Sequence, residues 1–199
     1  MLAAVAWANP NGGAWDVAGN WSTGVVPGPG DDVIINTAAA ETIAIQPGDS
    51  ISVNSLTTGT NDTLSVSGGS LTVATVSTLS GPLTMTGGSL TATGSGGSLT
   101  SNGSTSIADA SLYAEAGGTL SLPQLTSYAS NATTLEANGG SSVLSLSALV
   151  TIVHVGSLSI NADGGGKIDF SSLKSLAGSG NPEDLRLNDI GRKSATSRN

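Results

Sequence analysis

The stretches "TLSVSGGSLTV" (63–73) and "PLTMTGGSLTA" (82–92) align without a gap at an offset of 19 residues. Leu64, Val66, Leu71 and Val73 fall on Leu83, Met85, Leu90 and Ala92. Further along, "TLSLPQL" (119–125), "VLSLSAL" (143–149) and "KIDFSSL" (167–173) align at a constant offset of 24. Leu120, Leu122 and Leu125 become Leu144, Leu146 and Leu149, then Ile168, Phe170 and Leu173. A third set, Leu112/Ala114, Leu135/Ala137 and Leu158/Ile160, steps by 23. A near-constant period of this size marks a repeat architecture, in which each unit is completed by its neighbours.

Within the units, apolar residues alternate with Ser, Thr or Asp, the period-two pattern of a strand with one buried face. Gly68-Gly69, Gly87-Gly88, Gly96-Gly97, Gly117-Gly118, Gly139-Gly140 and Gly164-Gly165-Gly166 separate them. Tight corners favour glycine because it tolerates positive φ. An antiparallel barrel or sandwich also has short alternating strands, but the gapless register over three units weighs against it. The expected fold is all-β: a single-stranded parallel β-helix (β-solenoid), right-handed by fold precedent, with about six or seven coils and capped ends. Residues 1–32 read as an N-terminal cap, 33–179 as coils of 19–24 residues, and 180–199 as a C-terminal cap or linker.

Composition narrows the function classes. Charged residues are 10% of the chain, against about a quarter in typical soluble proteins. The net charge is −8, and up to residue 179 the cations are Lys167 and Lys174. A nucleic-acid binder needs a basic footprint, which this chain lacks. Anionic membranes and polyanionic substrates are disfavoured for the same reason. With no cysteine, disulfides and thiolate metal sites are excluded. No run of about 18 apolar residues points to membrane insertion, and the opening "MLAAVAWA" lacks the basic segment of a signal peptide.

All three tryptophans lie in "WANPNGGAWDVAGNWSTGVVPGPGDDVIIN" (7–36). The W-x5-W of "WDVAGNW", followed by a Pro-rich turn and "DDVIIN", resembles the N-terminal segment of bacterial extracellular parallel β-helix repeat proteins. These include autotransporter-passenger-like repeats and planctomycete-type surface proteins. "SLSINADGGGKIDFSSLKSLAG" (157–178) resembles coils of the same proteins. The resemblance covers nearly the whole chain up to residue 180. It implies a secreted or cell-surface module with a surface, adhesive or carbohydrate-associated role.

A stack of coils exposes its core at both ends, so terminal units must be atypical. Trp15 and Trp21 therefore read first as a plug on the first coil. The competing reading is a platform on which sugar rings stack.

Candidate chemistry is sparse. The single histidine, His154, is flanked by Val153 and Val155, and is expected to face outward, opposite to them. Parallel β-helices often host polysaccharide lyases and hydrolases, and Asp163, Lys167 and Asp169 are the best local acid, base and cation set for such chemistry. No cofactor is expected. "NADGGGKID" (161–169) resembles a calcium-binding nonapeptide but has Lys167 where the third glycine is required. Calcium takes about six to eight oxygens, and Asp31-Asp32 is the other spot that offers carboxylates.

Three "GGSLT" copies put Ser70/Thr72, Ser89/Thr91 and Ser98/Thr100 opposite inward leucines. Stacked hydroxyls of this kind resemble the Thr ranks of ice-binding solenoids, and they also simply solvate a strand face. The reading that best fits the whole is a structural or adhesive surface solenoid, with a polysaccharide or other surface ligand as partner. A polysaccharide-degrading enzyme is the first alternative and ice binding the second. Open coil ends and edges also make homo-oligomers an expected partner class.

Overall fold

A strand that is apolar on one side must be covered there, and short strands joined by glycine corners can cover one another. The structure, a computed structural model, describes residues 4–178 and the strand Leu185–Asp189. Among these residues the chain winds through about seven turns, building three parallel sheets of eight, eight and seven strands. The expected parallel β-solenoid is the observed fold.

The first face runs through Ala4–Ala6, Asp32–Ile35, Ser55–Thr58, Val76–Leu79, Ser98–Ser101, Thr119–Ser121, Val143–Ser145 and Lys167–Asp169. The second runs through Gly13–Ala14, Thr42–Ile45, Thr63–Val66, Leu83–Met85, Thr105–Ala108, Ser127–Ser130, Thr151–His154 and Ser175–Ala177. The third runs through Ser50–Val53, Ser70–Val73, Ser89–Thr93, Ser111–Glu115, Thr133–Asn138, Leu158–Asp163 and Leu185–Asp189. The ladder thus begins inside the 1–32 segment, at Ala4–Ala6, and takes up Leu185–Asp189 from the 180–199 segment. The rest of the 180–199 segment lies outside the described residues. No described helix is long and apolar enough to cross a membrane.

The core is a set of inward ranks. Leu64 pairs with Leu83 and Val66 with Met85 on the second face, while Leu71 pairs with Leu90 and Val73 with Ala92 on the third. Leu120, Leu144 and Ile168 follow one another on the first face. Leu71, Leu90, Leu112, Leu120, Leu135 and Leu144 are fully buried, and each such side chain is worth about 1.5–3 kcal/mol relative to exposure.

One expectation about register is corrected. Leu112 does pair with Leu135, but Leu135 pairs with Ile160 and Ala137 with Ala162, two residues beyond the expected partners. Leu158 instead stacks on Thr133. The sheet period is two, so this slip leaves every side chain on its expected side.

The three "GGSLT" copies do not occupy equivalent corners. Gly68-Gly69 and Gly87-Gly88 lead into third-face strands, whereas Gly96-Gly97 leads into the first-face strand Ser98–Ser101.

The glycines of these corners are not equivalent either. Gly88 has φ +77, and a Cβ there would collide with the Gly69 carbonyl oxygen of the preceding coil, whereas a Cβ at Gly96 would meet nothing within 4 Å. Gly88→Ala should therefore lower unfolding stability by more than about 1 kcal/mol, while Gly96→Ala should be neutral or slightly stabilising. Urea unfolding of the two variants, one at the second glycine of its "GGSLT" copy and the other at the first glycine of its copy, checks this.

Candidate functional site

Indole rings are the largest apolar groups the chain possesses, and the structure spends all three at the N-terminal end. Trp15 and Trp21 are 0% and 2% exposed, and Trp7 is 6% exposed. Trp21 is the hub: its ring centroid lies 4.9 Å from that of Trp7 and 4.8 Å from that of Trp15, both edge-on. Its Nε1 donates to the Trp15 carbonyl at 2.7 Å. The Trp7 Nε1 donates to the Asn9 carbonyl at 2.8 Å.

Backbone bonds dock this segment on the first coil, from Trp7 N to the Ile34 carbonyl and from Trp15 N to the Ala44 carbonyl. Asn20 locks the loop by donating to the Ala14 carbonyl and accepting from Asn9 Nδ2. The plug is thus the observed arrangement. As a correction to the platform reading, neither Trp15 nor Trp21 presents a ring face to a sugar, because both belong to the core.

His154 is also corrected. It is buried at 5% exposure, while Val153 and Val155 are 47% and 70% exposed. Coil-to-coil pairing decides the side: His154 stacks on the buried Ser130, and Ile152 on the buried Tyr128. The His154 Nδ1 lies 3.1 Å from the Gly156 carbonyl. The ring also rests so closely on Gly178 that a Cβ there would overlap it. Nothing in this setting leaves the imidazole free to reach a substrate.

Asp163, Lys167 and Asp169 straddle a corner. Asp163 ends a third-face strand, and the Gly164–Gly166 turn carries the chain to Lys167 and Asp169 on the first face. Asp169 Oδ1 accepts the Ser171 N–H at 2.9 Å, an ordinary turn bond. The structure therefore brings Lys167 and Asp169 to one strand, puts Asp163 across the corner, and buries His154 on the remaining face.

The Asp31-Asp32 carboxylates are engaged by the chain itself. Asp31 Oδ2 accepts Gly28 N–H at 2.8 Å. Asp32 Oδ1 accepts Asn54 Nδ2 at 2.6 Å and Ser55 Oγ at 2.7 Å. The Ser55 and then the Asn54 hydrogen bond hold the Asp32 carboxyl below its usual range. Among the described residues no three His, Asp or Glu side chains converge as a metal site would require.

Hydroxyl ranks are more extensive than the repeats imply. On the third face Ser50, Ser70 and Ser89 align in register, as do Ser52, Thr72 and Thr91, and Ser111 extends the first rank. On the first face Thr57, Thr78, Thr100, Ser121 and Ser145 form a rank of five coils. The expected third-copy pair Ser98/Thr100 belongs to this first face.

Besides Lys167 and Asp169 on the first face, two places among the described residues break the hydroxyl pattern, and of their residues only Asp163 was a candidate from the sequence. The second face carries a shallow cavity of about 360 Å³ lined by Ser106, Ala108, Ser127, Ala129, Thr151 and Val153, above the buried Tyr128. On the third face Tyr113, Glu136 and Asn161 replace the Thr rank, beside Glu115, Asn138 and Asp163. Strand parity and the final register are needed to see either, and local composition supplies neither. Comparison with protein-family models, curated proteins and solved structures returned no match to this chain.

Tyr128 anchors the wall of the second-face cavity. Its hydroxyl donates to the Ala110 carbonyl at 2.8 Å and lies 2.6 Å from Thr133 Oγ1, which pairs with Ser130 Oγ at 2.6 Å. Burial pushes the phenol up to about 12, with the charge of Asp109 adding to the rise and the Thr133 bond opposing it. The unfolded chain ionises this phenol near its ordinary value of about 10, so the folded state holds the proton more tightly. The corresponding stability is complete below pH about 10 and lost as pH rises toward about 12. Tyr128→Phe should lower stability at pH 7 and flatten the alkaline limb, as read from urea midpoints between neutral and alkaline pH.

Proposed function

We propose that this chain is a non-catalytic structural or adhesive solenoid of a bacterial secreted or cell-surface protein, engaging neutral polysaccharide through its outer faces. One observation carries the reading: uncharged hydroxyl ranks repeat in register on a rigid lattice whose strands lie about 4.8 Å apart, as in the five-coil rank from Thr57 to Ser145. Such a face suits a polymer that is itself neutral, hydroxylated and periodic. The inward turn of His154, and the corner that parts Asp163 from Lys167 and Asp169, argue against a lyase or hydrolase centre built from those residues. The cysteine-free, acidic composition and the resemblance of the Trp segment and coils to bacterial surface repeats support the location.

A second reading has its own support. Thr57, Thr78 and Thr100 are consecutive threonines in one rank, and β-branched side chains have restricted χ1 freedom. A stiff, flat hydroxyl array can order water as ice does.

The two readings separate cleanly. In the first, a glycan array with neutral polysaccharides should give binding, and the same sugars should release no reducing ends or unsaturated uronate. Product release that vanishes in Asp169→Asn would make the protein an enzyme instead. In the second, the protein should show thermal hysteresis that Thr78→Leu abolishes without altering the circular dichroism spectrum. No hysteresis in the wild type sinks that reading alone.

A further inference from the structure

The third face changes character at one point along its length. Its outer rank reads Ser52, Thr72 and Thr91, then Tyr113, Glu136 and Asn161. The neighbouring rank reads Glu115, Asn138 and Asp163 across the same three coils. Aromatic, carboxylate and amide groups are rare on this surface, where small hydroxyl side chains are the rule. Here they stand in consecutive coils with their backbones fixed by the ladder.

The group is organised internally. Glu136 accepts Asn138 Nδ2 through Oε1 at 3.3 Å and Asn161 Nδ2 through Oε2 at 3.4 Å. Both contacts hold the carboxylate plane in place between two amides. A carboxylate and an amide side by side can accept from one hydroxyl and donate to its neighbour, which is the pattern that vicinal sugar hydroxyls present. Tyr113, half-buried and outward on the preceding coil, adds a ring with an apolar face and a polar tip. A pyranose ring likewise has apolar C–H faces and hydroxylated edges. The coil rise of about 4.8 Å is close to the length that one residue adds to an extended glycan.

We infer that Tyr113, Glu136, Asn138 and Asn161 form a recognition strip for a neutral, extended polysaccharide lying along the solenoid axis, with Tyr113 as the stacking platform and Glu136 as the orienting acceptor. This deepens the polysaccharide reading and rests on it. It also assigns selectivity: Glu115, Glu136 and Asp163 repel a uronate polymer, so the strip takes uncharged sugars.

The test is a titration of the whole chain with cellohexaose, xylohexaose and mannohexaose, and with hexagalacturonate as the charged control, followed by heteronuclear NMR and calorimetry. At least one neutral hexaose should shift the backbone signals of residues 113, 136, 138 and 161, and hexagalacturonate should not. Tyr113→Ala should weaken binding at least about tenfold, the equivalent of about 1.4 kcal/mol, while Tyr113→Phe keeps the ring and should retain most of it. Glu136→Gln should weaken binding with an unchanged circular dichroism spectrum. Neutral hexaose binding that survives both Tyr113→Ala and Glu136→Gln unchanged overturns the strip and leaves the polysaccharide reading standing. Neutral polysaccharides captured on the array, with none of the hexaoses bound, also overturn the strip alone. Failure of the wild type on both array and hexaoses overturns the strip and the reading together.

Discussion

The parallel backbone ladder is the interaction on which everything else in this protein depends. Each coil hydrogen-bonds to the one before it along three faces, so a residue's surroundings are set chiefly by its counterparts one coil away. An apolar side chain is buried because the next coil puts another above it, as Leu71, Leu90 and Leu112 do in turn. The same constraint makes corners unforgiving. Gly69 and Gly88 both take positive φ and pack backbone on backbone, so the repeat conserves space as strictly as it conserves hydrophobicity.

A ladder of this kind ends in an exposed core cross-section, and the N-terminal segment answers that problem with tryptophan. Three indoles crowd against one another at about 5 Å between neighbouring centroids and join the cluster that includes Val5, Val33 and Ile43. Polar loop residues finish the plug: Asn9 and Asn20 bind the backbone carbonyls of Gly12 and Ala14. One indole N–H, that of Trp15, stays enclosed without a partner. Leaving such a donor unpaired typically costs about 1–3 kcal/mol, less than the gain from covering the coil mouth with so large a ring.

Much of the solenoid was legible in the sequence, for a physical reason. Inward ranks tolerate little change, so Leu64 and Leu83, or Leu120 and Leu144, advertise their pairing by identity. Outward positions tolerate more, and corner glycines look alike whichever face follows them, so there the reading falters. His154 between two valines reads as outward on local hydrophobicity, yet pairing with Ser130 turns it in and leaves the valines in solvent. The slip from Leu158 to Ile160 opposite Leu135 is invisible because a two-residue shift preserves the alternation. Identical "GGSLT" pentapeptides serve different corners, because five residues do not say which face the next strand will join.

The repeat also dictates where function should be sought. Ser and Thr recur on all three faces because they suit an exposed strand, and an unbroken hydroxyl rank can arise from stacking alone. A departure from the rank carries more information, because stacking does not require it. The departures on the described outer surface include the Ala108 and Ala129 floor of the second-face cavity and the Tyr113, Glu136 and Asn161 series of the third face. Both lie in the same middle-to-late coils, away from the tryptophan plug. The second series also replaces hydroxyls with longer planar groups that reach further from the sheet. A lattice that already fixes its backbone has no structural need for an aromatic ring, a carboxylate and an amide in consecutive coils, and the proposed recognition of a polysaccharide would give them a purpose.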